Sequence, residues 1–371
     1  MNTIAVPAAF TAIDHAMMTR ALRLAERGAY TTKPNPMVGC VIANGDEVIA
    51  EGWHAIAGGP HAEIVALQSA GDRARGATAY VTLEPCAHTG KTGPCVEALI
   101  AAGVGRVIAA MRDPFPQVDG AGFDALRAAG IAVEHGLMAA SARQLNHGFL
   151  SRIERKRPWV RVKLATSLDG RTALANGDSK WISGEASRRD VMHWRARAGA
   201  LLTGAGTVLA DDPQLTVRFD EDIAFVPPLR VVLDPGLATV GRGRVRAGDA
   251  PTLYFHAHDA KPPRSFDAAH AAVPIQDGLL DLNAVLQALA VREINEVQVE
   301  AGATLAGALL RADLVDEVLL YMAPVLLGAD ARPLFDGLHI DEMSQRLRLQ
   351  IVETRRLGDD LRLLLRPERA L

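Results

Sequence analysis

Gly58-Gly59-Pro60-His61-Ala62-Glu63, followed by Thr82-Leu83-Glu84-Pro85-Cys86-Ala87-His88-Thr89-Gly90-Lys91-Thr92-Gly93-Pro94-Cys95, decides how the first half of this chain is read. Zinc accepts imidazole nitrogen and thiolate sulfur, and a catalytic zinc keeps three protein ligands and one open position for water. His61, Cys86 and Cys95 make such a set. Glu63 lies close enough to reach a bound water without being a ligand. His61 and Cys95 both fall at expected helix starts, where the helix dipole favours a thiolate. Hydroxide formed there attacks an amino-bearing ring carbon while a carboxylate carries the proton to the departing ammonia. This is the chemistry of H-x-E followed by P-C-x-x-C. Here eight residues, Ala87 to Pro94, separate the cysteines, so the short form of the pattern is not met. A structural zinc would need a fourth ligand, for which Cys40, His54 and His88 are the candidates. Taken alone, an H-A-E is ordinarily surface and a buried cysteine ordinarily core; the strand, turn and helix in register favour the catalytic reading.

Outward from this stretch, short apolar runs alternate with helical spacing, the mark of α/β layers. A helix is expected over Thr11–Arg27, then strands Val38–Ala43 and Glu47–His54 joined at Asn44-Gly45, a strong hairpin signal. A helix from His61 to Ser69, strand Ala79–Leu83, a helix opening at Pro94, strand Arg106–Ala110, a helix over Gly122–Ala129 and strand Ile131–Glu134 complete the first half. The basic run Ser151–Arg157, ahead of Pro158, reads as a solvated linker rather than a docking patch. A domain boundary is placed there.

In the second half, strands fit Trp159–Ala165, Ala200–Thr203, Arg230–Leu233, Thr252–Phe255, Glu296–Glu300 and Glu317–Tyr321. Helices fit Glu185–Arg197, Leu282–Val291 and Thr304–Ala312, and Arg242–His270 reads as variable surface. Two joins, Leu202-Thr203-Gly204-Ala205-Gly206-Thr207 and Glu300-Ala301-Gly302-Ala303-Thr304-Leu305-Ala306-Gly307, run from strand through a glycine turn into a helix. Backbone N–H groups and the helix dipole there can receive phosphate. Neither matches G-x-G-x-x-G or a P-loop. Each is weak alone; two in one domain favour a dinucleotide site.

At roughly 150 residues per domain, 371 residues suggest two domains. Hydrophobic residues at 49% and charged residues at 22% exclude wholesale disorder. A net charge of -3 and 5% aromatics argue against gripping nucleic acid or an anionic membrane, and so against a nucleic-acid-editing deaminase. Three cysteines make no disulfide framework and fit a reducing cytosol. No signal peptide or membrane span is expected.

The stretch Asn35-Pro36-Met37-Val38-Gly39-Cys40, together with the runs ending at Glu63 and Cys95, resembles the bifunctional riboflavin-biosynthesis deaminase/reductase family. The long gap between cysteines is that family's pattern rather than that of cytidine or tRNA adenosine deaminases. The resemblance implies an α/β fold class: a cytidine-deaminase-like three-layer α/β/α domain over residues 1–150, then a dihydrofolate-reductase-like α/β domain over 158–371. The first domain would be a zinc-dependent deaminase acting on 2,5-diamino-6-(5-phosphoribosylamino)pyrimidin-4-one, with Asn35, His88 and Lys91 at substrate-contact positions. KLATSLDGRTA from Lys163, SKWISG from Ser179, the run from Arg195 to Arg218, and EAGATLAG from Glu300 resemble the family's NADPH-dependent reductase domain. By position, Ala165, Trp181, Thr207, Asp211, Gly302, Ala303, Thr304, Leu305, Ala306, Gly307 and Ala308 would line NADPH. Lys163, Ser179, Arg195, Leu215, Arg218 and Glu300 would hold 5-amino-6-(5-phosphoribosylamino)uracil while its ribosyl chain is reduced. Charge logic agrees, since arginines suit a phosphate and Glu300 can accept from uracil N–H or ribose hydroxyl groups. Pro235 departs from the serine usual at that point. The expectation is therefore a cytoplasmic enzyme with one zinc per chain and NADPH. Its partners would be small phosphoribosylated pyrimidines, with no nucleic acid or membrane, and it would form a homo-oligomer, a dimer or tetramer.

Overall fold

The computed structural model describes residues 10–87, 93–116, 118–276 and 278–368. The chain divides into two compact units, Met1–Glu154 and Arg155–Leu371. In the first, α1 (Ala12–Glu26) starts at Thr11, whose hydroxyl accepts from the Asp14 N–H while the Asp14 carboxylate accepts from the Thr11 N–H. This reciprocal cap satisfies two donors that a helix start leaves open. Then come β1 (Gly39–Asn44), β2 (Glu47–Trp53), α2 (Ala62–Ala70), β3 (Thr78–Val81), α3 (Cys95–Ala102), β4 (Arg106–Ala109), α4 (Ala121–Ala128), β5 (Ala132–His135), α5 (Ala139–Leu145) and α6 (His147–Arg155). The sheet order is β2-β1-β3-β4-β5, with β1 antiparallel to β2 and β3 and the remaining pairs parallel. Successive strand residues point to opposite faces. Val41 and Ala43 accordingly join α1, α5 and α6 in one core, while Cys40 and Ile42 join α2, α3 and α4 in another. Helices thus cover both faces, giving three layers.

The hairpin turns one residue later than the sequence suggested. Asn44 still pairs with Glu47, and Gly45, at φ 61, and Asp46 make the turn. The basic run is not a solvated linker: α6 continues to Arg155, and Ser151 is buried. Arg155 and Arg157 both donate to the buried carboxylate of Asp316, at 2.7 and 2.8 Å. A charge run alone does not reveal a counter-charge 159 positions away.

The second unit contains β6 (Trp159–Ser167), β7 (Arg171–Ala173), α7 (Glu185–Arg197), β8 (Ala200–Gly204), α8 (Ala205–Asp211), β9 (Leu229–Leu233), β10 (Thr252–Ala257), β11 (Ala269–Val273), β12 (Ile275–Gln276), β13 (Leu279–Leu280), α9 (Leu282–Val291), β14 (Glu296–Val299), α10 (Ala303–Arg311), β15 (Glu317–Ala323), β16 (Arg332–Pro333), β17 (Leu349–Leu357) and β18 (Asp360–Pro367). Its main sheet runs β11-β10-β9-β8-β14-β6-β15-β18-β17. All pairs are parallel up to β15, and the terminal hairpin β18-β17 adds antiparallel strands at the edge. That hairpin was absent from the sequence reading. The Arg242–His270 segment, read as surface, carries β10, whose Tyr254 and Phe255 are fully buried.

One face of this sheet is apolar. Val160, Val162 and Leu164 of β6, with Val297 and Val299 of β14, pack with Val285 and Leu289 of α9 and Leu309 of α10. The other face of the same strands is charged. Arg161, 1% exposed, pairs with Glu317 at 2.9 Å and Glu296 at 3.2 Å, and Arg366 reaches Glu317 at 2.8 Å. Trp194 of α7 lies against this belt, its ring 4.5 Å from the Arg161 guanidinium and 5.4 Å from that of Arg362.

Asp316 supplies a stability test. Burial works to raise its carboxyl, but Arg157 and Arg155 outweigh that and hold it below the usual range. It also accepts from the Val160 N–H at 2.9 Å. Asp316→Ala strands these donors, and the expected loss is about 3–5 kcal/mol, read by urea unfolding.

Candidate active sites

His61 is the N-cap of α2 in extended conformation; Cys95 opens α3 behind Pro94; Cys86 follows the end of β3. The three elements converge so that the ligand atoms all lie within 4.8 Å of one another. His61 Nδ1 stands 3.2 Å from Cys95 Sγ and 3.5 Å from Cys86 Sγ, and the Cys95 N–H points at Cys86 Sγ over 3.4 Å. Tetrahedral zinc, with Zn–S about 2.3 Å and Zn–N about 2.1 Å, sets N···S separations of about 3.6 Å, so the donor set fits the ion. Among the described residues no fourth histidine, cysteine or carboxylate joins the cluster. Cys40 instead packs in the core below α2, its thiol pushed up by burial.

The site's protons sit where a cation would displace them. The contact between the two thiols pushes one down and the other up, with Cys86 the lowered partner and Cys95 the raised one. Metal binding to such groups releases protons. Glu63, 3% exposed on the first turn of α2, is pushed up to about 7 by burial.

Asn35 donates from Nδ2 to His54 Nε2 at 3.0 Å, and His54 Nδ1 donates to the Pro60 carbonyl, also at 3.0 Å. The Pro60 bond sets the imidazole tautomer, and the tautomer sets which way the Asn35 amide faces. Burial pushes the His54 pKa down, so the ring stays neutral. This role for His54 escaped the sequence reading, which offered it only as a metal ligand. His88 and Lys91 lie outside the described residues.

In the second unit, the carboxyl ends of β6, β8 and β14 meet where the chain order reverses, the usual crevice for ligands in such sheets. Glu300, just past β14, holds Arg195 of α7 in a two-point ion pair at 2.7 and 2.6 Å. Arg195 also donates to the Thr216 carbonyl, which ties the Leu215–Arg218 segment to it. Gln298 donates to Glu300 at 2.8 Å. Two residues assigned separately to substrate are therefore partners of one another here. Burial works to raise Glu300, yet Arg195 and Lys163 outweigh it and hold the carboxyl at about 2. Burial lowers Lys163, whose ammonium lies 5.8 Å from the centre of the Tyr321 ring.

The remaining positions fall on the surrounding loops and helix starts. Ala165 lies near the end of β6, and Thr207 and Asp211 on α8. Ser179 is half-buried; Trp181 is 72% exposed, with the Arg188 guanidinium 4.7 Å from its ring. Leu215 is buried, and Arg218 is exposed and bonded to Gln214. Gly302 is the N-cap of α10, and Ala303, Thr304 and Leu305 form its accessible first turn. Ala306, Gly307 and Ala308 are buried, and a Cβ on Gly307 would meet the Asp336 carbonyl at 2.0 Å, so that glycine serves packing.

Fold and clusters define a deaminase unit joined to a reductase unit. Residues 11–111 match the model of the cytidine and deoxycytidylate deaminase zinc-binding region, and residues 158–363 match that of the RibD C-terminal domain. The riboflavin biosynthesis protein RibD of Escherichia coli is 47% identical over 358 residues, 94% of this chain and 98% of that protein. Its Haemophilus influenzae counterpart is 43% identical over 97% of this chain and 99% of that one. Among solved structures, RibD of Acinetobacter baumannii superposes with a TM-score of 0.89 at 45% identity, covering 96% of this chain and 99% of that one. A diaminohydroxyphosphoribosylaminopyrimidine deaminase/5-amino-6-(5-phosphoribosylamino)uracil reductase from Thermotoga maritima gives 0.85 at 34%, with the same coverage. This chain belongs to the RibD family, the bifunctional deaminase/reductases of riboflavin biosynthesis. The expected cytidine-deaminase-like and dihydrofolate-reductase-like folds are those observed.

Glu300 generates a pH prediction. Its folded pKa, about 2, lies below the ordinary value of 4.5. Its contribution is therefore complete above the ordinary value and lost as pH falls toward 2. Unfolding followed by tryptophan fluorescence should show wild type more stable than Glu300→Gln near neutrality, with the gap closing in acid.

Proposed function

We propose that His61, Cys86 and Cys95 hold one catalytic zinc per chain, and that residues 1–150 deaminate 2,5-diamino-6-(5-phosphoribosylamino)pyrimidin-4-one. Residues 158–371 then reduce 5-amino-6-(5-phosphoribosylamino)uracil with NADPH. The observation that carries the reading is the three-atom cluster with the buried carboxylate of Glu63 on the first turn of α2 beside it and no fourth ligand among the described residues. These residues would hold a zinc ion, which would lower the pKa of a water to about 7 and so make hydroxide available. Glu63 accepts the proton of the attacking water on a carboxylate oxygen. It passes that proton to the ring nitrogen, then takes the remaining proton of the newly added hydroxyl and gives it to the amine, which departs as ammonia. Burial, which pushes its carboxyl up, suits a group that must both take and give a proton. Asn35, held by His54, turns its carbonyl and its second amide N–H to the pyrimidine. His88 and Lys91 are assigned to the substrate as well.

NADPH held in the second unit would supply the hydride for reduction at the sugar C1. The chain's own part is orientation. The open N–H groups at Gly302–Leu305 receive cofactor phosphate, with Ala165, Trp181, Thr207 and Asp211 completing that wall and Ala306–Ala308 packed behind it. Lys163, Ser179, Arg195, Leu215, Arg218 and Glu300 hold the substrate. Its phosphate competes with Glu300 for Arg195 and sets the depth at which the sugar enters. The three free cysteines suit a reducing compartment, and we assign the enzyme to the cytoplasm as a homo-oligomer acting on small phosphoribosylated pyrimidines.

Glu63→Gln keeps shape and ligand set but removes the base, so deamination should fall by about 10²-fold or more. Lys163→Ala should cripple reduction of supplied uracil intermediate and leave ammonia release intact. Mixing the two variants should restore the two-step conversion. Loss of reduction in Glu63→Gln would refute the two-site assignment.

A further inference from the structure

Glu84 stands two residues ahead of Cys86, is 4% exposed, and has no part in the chemistry above. Its carboxylate is saturated by backbone. One oxygen accepts from the Gly122 N–H at 3.0 Å; the other accepts from the N–H groups of Asp113 at 3.2 Å and Gly120 at 3.1 Å. Its own N–H donates to the Met111 carbonyl at 3.0 Å. Every one of these partners belongs to the segment joining β4 to α4 or to the first turn of α4. That helix starts at Gly120, which has φ 95 and no side chain to cap the open N–H groups. Glu84 supplies the missing cap and sets a negative charge at the positive end of the helix.

The same contact works in the other direction. The stretch from Thr82 to Cys86 has left the sheet, so strand pairing no longer fixes it. On one side the Thr82 hydroxyl accepts from the Gly39 N–H at 3.1 Å. On the other, the Glu84 carboxylate clamps it to the start of α4. The fit is close: a Cβ on Gly122 would meet the Pro85 carbonyl at 2.1 Å and Glu84 Oε1 at 3.1 Å. Pro85 removes one more backbone freedom immediately before the cysteine. We propose that Glu84 is a positioning residue for the metal centre, which fixes the backbone carrying Cys86 by anchoring it to the N-terminus of α4. This rests on the reading of Cys86 as a zinc ligand. Groups that orient metal ligands from behind typically contribute about 10–100-fold in metal affinity or activity.

Glu84→Gln tests it without changing size. In either orientation the amide turns a donor toward a backbone donor. Gly122→Ala tests the same joint from the opposite side, through the Pro85 clash. In the full-length protein, zinc release to a chromogenic chelator should quicken by about 10–100-fold in each variant. The thiolate-to-metal absorption of the cobalt(II)-substituted protein should shift, and deaminase kcat should fall more than KM rises. Reduction of supplied intermediate by the same preparations should be unchanged, which shows that the second unit has folded, and a far-ultraviolet circular dichroism spectrum matching wild type shows the same for the first. Zinc release and cobalt spectra identical to wild type in both variants would overturn the proposal, whatever happens to thermal stability. A wild-type protein that takes up no zinc would overturn the ligand assignment beneath it, a result distinct from the first.

Discussion

A parallel sheet has to be covered on both faces, because its strands are joined by helices that lie across it. That constraint determines where this protein can do chemistry. Once α1, α5 and α6 close one side of the first sheet and α2, α3 and α4 the other, only strand ends and helix starts reach substrate. His61, Cys86 and Cys95 are such positions, two at helix starts and one just past a strand. The second sheet follows the same rule. Ala165 lies toward the end of β6 and Lys163 at its middle, Gly204 ends β8, and Glu300 and Gly302 stand between β14 and α10.

Two buried carboxylates show how placement decides behaviour. Glu63 and Glu300 are both removed from water, which raises a carboxyl in each case. Glu63 has no arginine or lysine against it among the causes that act on it and stays near 7. Glu300 faces Arg195 and Lys163 and stays near 2. One is suited to carrying a proton, the other to remaining charged while holding cations in place. The environments are pushed apart so that identical functional groups take different work.

Much of this was legible in the chain itself. Glycine and proline mark the helix starts at His61 and Cys95, and polar neighbours around an apolar run reveal α7, α9 and α10 within a residue or so. The convergence of His61, Cys86 and Cys95 was readable because residue type and local structure agreed. What escaped depends on contacts distant in sequence. The orienting role of His54 requires knowing that its ring lies between Asn35 and the Pro60 carbonyl. Gln298 carried a visible signal: in Glu296-Val297-Gln298-Val299-Glu300, every second residue of a buried strand is polar. That pattern says that one face of the strand packs against charge rather than against oil. The outer strand of the hairpin, β17, is exposed and left no apolar alternation to read. The basic run at Ser151–Arg157 misled because its acidic partner, Asp316, stands on the far side of the second unit's sequence.

The charged belt beneath α7 constrains how this protein can change over generations. Arg161 neutralises Glu296 and Glu317 out of reach of water, and Arg362 does the same for Asp190. A single replacement anywhere in the belt leaves a partner charged and dry, whereas a fully apolar replacement of all members would tolerate burial well. The viable sequences thus form two islands, one ionic and one greasy, with unstable single mutants between them. Drift alone does not cross that gap. The residues lining this face, and the angle at which α7 presents Arg195, are therefore expected to stay fixed while the apolar face opposite is free to exchange one aliphatic side chain for another.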